Sequence, residues 1–146
     1  MKTPLKISVL WIISILKVSH ISGYPGGAPK SVCNSMLPLH GADSQTSPVP
    51  FNISLSSLDV QGGDQVTIEL RSPPGRFFKG FMVVVTKPGT NEAHGSFASP
   101  GQGAKSLGCF DKPNSGATHV EGNEKSIVKL SWTAPNDEDD VKFQVL

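Results

Sequence analysis

Cysteine is nearly absent from this sequence. There are two, Cys33 and Cys109, in 146 residues, and no CxxC pair. That excludes the paired-cysteine zinc sites and the dithiol redox motif. An excess of charge of one sign is lacking too, since thirteen Lys and Arg stand against twelve Asp and Glu. A nucleic-acid partner, which needs a basic face to neutralise phosphates, is therefore not expected. No glycine-rich loop leads into a helix and no GxSxG is present, so neither a phosphate cradle nor a nucleophile elbow is available. Catalytic residues, metal ligands and cofactors are accordingly expected to be absent. Beyond residue 23 no stretch has helical periodicity, and the fifteen glycines and twelve prolines form no repeat, so they serve as turn punctuation.

Long hydrophobic runs are missing as well. The one candidate, residues 7–16 (ISVLWIISIL), is interrupted by two serines and falls short of the about 18–20 apolar residues that span a bilayer. Lys2 and Lys6 precede it, Lys17 and His20 break it, and Ser22 and Gly23 supply small residues. This is the layout of a secretory signal peptide. The expected organisation is a signal peptide over 1–23, cleaved before Tyr24, and one domain over 24–146 with its own core. Cleavage removes Lys2, Lys6 and Lys17, leaving ten Lys and Arg against twelve Asp and Glu. The mature chain reads as secreted and extracellular, with no membrane span.

Export changes the meaning of the two cysteines. In an oxidising compartment a disulfide is the default fate of a lone pair. A Cys33–Cys109 bond would close a loop of about 77 residues, worth about 4.5 kcal/mol in the chain-entropy model. The competing reading, a redox-active or metal-binding thiol, lacks the extra ligands it would need. Cys33 lies in an irregular stretch, YPGGAPKSVCNSMLPLHG, which the disulfide would staple to the body of the fold.

That body reads as strands. Phe51, Ile53 and Leu55 alternate with polar residues, as do Val66, Ile68 and Leu70, then Val128, Leu130, Trp132 and Ala134, then Val141, Phe143 and Val145. Each set predicts a half-buried strand with its apolar face inward. Residues 81–85 (FMVVV) are apolar on both sides and predict a central strand covered on both faces. Turn signals lie between them: QGGD at 61–64, SPPG at 72–75, KPGT at 87–90, SPGQG at 99–103 and KPNSG at 112–116. The pattern predicts an all-β, antiparallel two-sheet sandwich.

Tyr24-Pro25, Cys33, Met36, Pro38, His40-Gly41, Gln45 and Pro50-Phe51 together resemble the start of the reelin (reeler) domain. The resemblance runs on through GGDQVTIEL, FKGFMVVV, GSF at 95–97, Cys109, ATHVEGNEKSIVKLSW and the WTAP at 132–135. It implies an immunoglobulin-like β-sandwich. It also implies one of three settings: small secreted arthropod defence proteins, the outer module of ferric-chelate-reductase-like membrane proteins, or the start of large matrix and adhesion proteins. A signal peptide followed by one domain is most similar to the defence proteins, whose partners would be microbial envelope components or host cell surfaces. Family members continue past Leu146 into a further strand, so the domain is expected to be incomplete at its C-terminal end. Oligomeric state is not readable from these residues.

Several residues invite a functional reading. His40 and His119 fall in stretches matching the family pattern. They are candidates either for a ligand pair or for structural histidines that bond backbone and fix the N-terminal loop. Asp137-Glu138-Asp139-Asp140 is either a calcium-holding run or a solvated turn. Arg76-Phe77-Phe78-Lys79 is either a basic-aromatic tip for anionic lipid or lipopolysaccharide, with Arg76, Phe77 and Lys79 making contact, or core packing. Asn52-Ile53-Ser54 is a glycosylation sequon, and the alternation turns Asn52 outward.

Overall fold

The computed structural model describes residues 23–38, 46–137 and 139–146. The expected signal peptide up to Ser22, His40 and Glu138 lie outside the described residues. Seven strands form: β1 (Asn52–Leu55), β2 (Gln65–Arg71), β3 (Met82–Thr86), β4 (Ala104–Cys109), β5 (Lys112–His119), β6 (Ile127–Thr133) and β7 (Lys142–Val145). The helical content among the described residues is one 3-10 turn, Lys30–Val32. One sheet has the order β1-β2-β6 and the other β4-β5-β3-β7, with every pairing antiparallel. This is the immunoglobulin-like β-sandwich.

The alternation in β2 and β6 sets their facing. Val66 lies opposite Trp132, Ile68 opposite Leu130 and Leu70 opposite Val128, so six apolar side chains share one face of the sheet. They pack against Phe81, Val83, Val85 and Ala117 from the other sheet, with Phe143 and Val145 closing the side. The Trp132 and Phe143 rings bridge the layers edge to face at 5.2 Å, the arrangement their quadrupoles favour. The indole N–H of Trp132 donates to the His94 carbonyl at 3.1 Å, so no buried donor is left over. Gly95 makes room for that ring. Its φ is +68°, and a Cβ there would stand 2.2 Å from Trp132 Cζ2.

β3 is buried along its whole length, and its two faces belong to two cores. Val83 and Val85 point into the sandwich. Met82 and Val84 point outward into a second cluster with Val32, Cys33 and Cys109. The irregular N-terminal segment is therefore a third layer over the outer face of this sheet, which is why residues 81–85 carry no polar face.

Two expectations are corrected. KPNSG is part of strand β5 rather than a turn. The reversal is made instead by Phe110 and Asp111, both with positive φ (51° and 57°), between the paired Cys109 and Lys112, as a two-residue type I′ hairpin requires. Pro113 falls where the β4–β5 register shifts between Leu107 and Cys109, so its missing N–H breaks no regular ladder bond. The second correction concerns β1. Ile53 pairs with the buried Leu70, yet it is 49% exposed. β1 is an edge strand, and of its four residues Leu55 alone is half-buried against the core.

Candidate functional site

Cys33 and Cys109 form a disulfide with Cα atoms 5.7 Å apart, within the span such a bond requires. Both residues are buried, and no described cysteine is free. The 3-10 turn delivers Cys33, its N–H donating to the Lys30 carbonyl at 3.1 Å. At the other end the Cys109 N–H donates to Ser115 Oγ at 2.7 Å. With both sulfurs under the N-terminal layer, solvent thiols have little access to the bond.

A second attachment lies at the end of β5. Phe81 N–H donates to His119 Nδ1 at 3.1 Å, so Nδ1 is the accepting nitrogen and Nε2 the donating one. Nε2 in turn donates to the Tyr24 carbonyl at 2.9 Å. Beside it, Ala28 N–H donates to Thr118 Oγ1 at 2.9 Å, and Thr118 Oγ1 donates to the Phe81 carbonyl at 2.8 Å. Thr118 and His119 thus clamp residues 24–28 to the start of β3. Gly27 sits against this clamp with φ +112°, and a Cβ there would lie 2.6 Å from the His119 carbonyl oxygen. Both ring nitrogens of His119 engage backbone, so neither is directed at a metal.

The loop over residues 72–80 carries the basic-aromatic run. Ser72 Oγ donates to the Arg76 carbonyl at 2.7 Å, and Phe78 exchanges backbone hydrogen bonds with Lys125. Phe78 turns inward, its ring edge-on to Phe51 at 5.7 Å and to Phe81 at 6.5 Å. Phe77 turns outward and is 55% exposed, between exposed Arg76 and Lys79. Neither of those cationic side chains has a polar partner among the described residues. Lys125 differs, because its ammonium is held by the carbonyls of Lys79, Glu121 and Asn123 and by Asn123 Oδ1. It organises the loop and is not free to meet a ligand. Asn52 is exposed on β1.

The acidic run is tied to a histidine that sequence reasoning passed over. His94 is 3% exposed, and its Nε2 lies 2.6 Å from Asp137 Oδ1. Lys87 Nζ reaches Asp139 at 2.8 Å and Glu92 at 3.1 Å. The hydrogen bond from Lys87 holds the Asp139 carboxyl below its usual range, and donating to Asp139, then to Glu92, raises the Lys87 ammonium above its own. His94, Asp137 and Asp139 place ligand atoms within 4.8 Å of one another, the one such group among the described residues. Lys87 already supplies Asp139 with a positive charge, so the arrangement is a salt-bridged corner. Only the 43-residue separation of His94 and Asp137 hid it, since nothing local marks the pair.

Comparison with known proteins places these features in a family. Residues 31–146 match the model of the Reeler domain. The Antheraea mylitta protein named "Putative defense protein 3" is 34% identical over 130 residues, covering 88% of this chain and 77% of that one. "Ferric-chelate reductase 1" of Bos taurus is 32% identical over 127 residues, covering 85% of this chain but 21% of its own length. The chain spans about a fifth of the reductases it matches. Among solved structures, the human F-spondin reeler domain superposes with a TM-score of 0.57 at 14% identity, over 66% of this chain and 72% of that one. At that identity the likeness concerns the fold. No helix among the described residues is long and apolar enough to cross a membrane. By sequence match and by fold, the chain belongs to the Reeler domain family.

Proposed function

We propose that this is a secreted defence protein that acts by binding, recognising microbial envelope components or host blood-cell surfaces. The observation that carries the reading is extent. The Antheraea mylitta defence relatives are matched over 77% and 83% of their length, so what they do is done by little more than this domain. The buried disulfide suits an oxidising, extracellular compartment. Arg76, Phe77 and Lys79 present two cations, unpaired among the described residues, flanking an exposed ring, a combination that meets anionic, partly apolar surfaces. The experiment is a pull-down of the purified protein with whole bacteria and yeast, alongside transcript levels after bacterial challenge. Binding that falls in an Arg76→Glu/Lys79→Glu double variant, together with induction, supports the reading. Neither binding nor induction would remove it.

A second reading rests on the match to the ferric-chelate reductases, in which this domain would be one module of a longer membrane protein. A transcript continuing into a haem-binding transmembrane domain would establish it. A stop codon shortly after Leu146 would exclude it.

A further inference from the structure

Beneath the N-terminal layer lies a pocket of about 700 Å³, between residues 23–38 and the start of β3. Its volume falls within the about 300–1,000 Å³ typical of small-molecule sites. The lining is mostly apolar, with Tyr24, Pro25, Ala28, Pro29 and Pro38 of the N-terminal segment set around the buried Val32, Phe81 and Met82, and Leu146 beside them. The buried polar groups that reach it are already committed, since the His119 ring and the Tyr24 carbonyl bond each other. Among the described residues no Asp or Glu side chain lines it, and the one charged side chain there is that of Lys79. That lysine is exposed and has no polar partner among the described residues.

A mostly apolar lining whose buried His119 ring is already committed discriminates against sugars and peptides, whose polar groups would be stranded there. It suits a hydrocarbon chain. The Lys79 ammonium, without a polar partner among the described residues, then selects the sign of the group that stays in water. We propose that this pocket takes the apolar chain of one monomeric anionic amphiphile, with the acid group set against Lys79. The proposal stands on the pocket and does not require the recognition reading. A microbial lipid and a host fatty acid share the chemistry.

The test uses the full-length coding sequence expressed in insect cells, with the product stripped of lipid. Isothermal titration is run with decanoate and laurate below their micelle concentrations, with 1-dodecanol below its solubility limit, and with phosphatidylglycerol vesicles. Saturable one-to-one binding is expected, tightening about fourfold per added methylene, the factor that ~0.8 kcal/mol per buried CH₂ converts to. Lys79→Glu should weaken laurate at least about fivefold, the factor set by the ~1 kcal/mol of an exposed ion pair, and leave dodecanol unchanged. Ala28→Trp, which fills the pocket, should abolish both while melting temperature and disulfide are kept. Lys79 is solvent-facing, so its variant and the chain-length series decide the matter even if Ala28→Trp fails to fold. Absence of saturable binding would overturn the proposal. So would binding unchanged in a folded Ala28→Trp protein, or binding confined to vesicles and sensitive to Lys79→Glu alone, which is surface adsorption. Whole-bacterium binding is scored separately, so losing the pocket leaves the recognition reading to its own test.

Discussion

His119 on β5 holds the carbonyl of Tyr24 with its Nε2 at 2.9 Å, across 95 positions of sequence. The same ring accepts the Phe81 N–H on its other nitrogen, so one side chain ties the N-terminal layer to the central strand. His119→Ala removes both bonds and leaves a buried backbone donor unmatched, a loss of about 1–3 kcal/mol. Thermal melts should show it, and amide exchange should rise over residues 24–28. Unchanged protection there would mean that the disulfide alone seats the segment.

Removing the disulfide should cost more. Cys109→Ser is expected to lower stability by about 2–5 kcal/mol, a large part of the roughly 5–15 kcal/mol of an ordinary domain. Denaturant unfolding of the two proteins measures it. Intact mass should show no free thiol in the parent and a Cys33–Cys109 peptide that is lost on reduction.

Gly95→Ala tests the seat of Trp132. The new methyl would meet the indole ring at 2.2 Å, on a backbone whose φ of +68° disfavours a side chain. Overpacking of this kind costs about 1–3 kcal/mol, and the added backbone strain should push the loss towards the upper end. The expected signature is a lower melting temperature with altered tryptophan emission. A variant that melts with the parent would show that the 94–97 loop shifts freely.

Acid should weaken the fold through two carboxyls. Glu69 is held below its usual range mainly by a hydrogen bond from Arg71, and Asp139 mainly by one from Lys87. A carboxyl whose folded pKa is depressed stabilises fully above its unfolded value and loses that contribution as pH falls through the folded one. Melting temperature should therefore decline below about pH 4–5, the usual carboxylate range. The decline should be modest, because these pairs are partly exposed. It should be shallower in a Glu69→Gln/Asp139→Asn double variant, and an identical slope would assign the acid transition to other groups.

How much of this was legible depends on the range over which each feature is encoded. β2 and β6 could be read because alternation is local, and Val66, Ile68, Leu130 and Trp132 are buried as the pattern predicts. The doubly apolar run at 81–85 announced a covered strand but not its cover. That cover is the N-terminal layer, tied on by residues about 76–95 positions away. β5 was misread because Pro, Asn and Gly signal turns, whereas Phe110 and Asp111, which make the turn, belong to no common turn pair. The His94–Asp137 contact and the pocket below residues 23–38 join separate stretches of chain, and no local window contains either.

The N-terminal layer also has a consequence for biosynthesis. Cys33 emerges from the ribosome early, yet its partner follows 76 residues later. At about 5–20 residues per second, the Cys33 thiol waits roughly 4–15 s before Cys109 exists at all. The surface that will receive it, Met82 and Val84 on the outer face of β3, is completed later still, when Leu146 pairs with Met82. During that interval an apolar, thiol-bearing segment has no native seat, and other thiols can capture it. Strand β7 therefore completes the seat of a segment made long before it, and the yield of correctly paired protein becomes a race between the synthesis of β7 and mispairing.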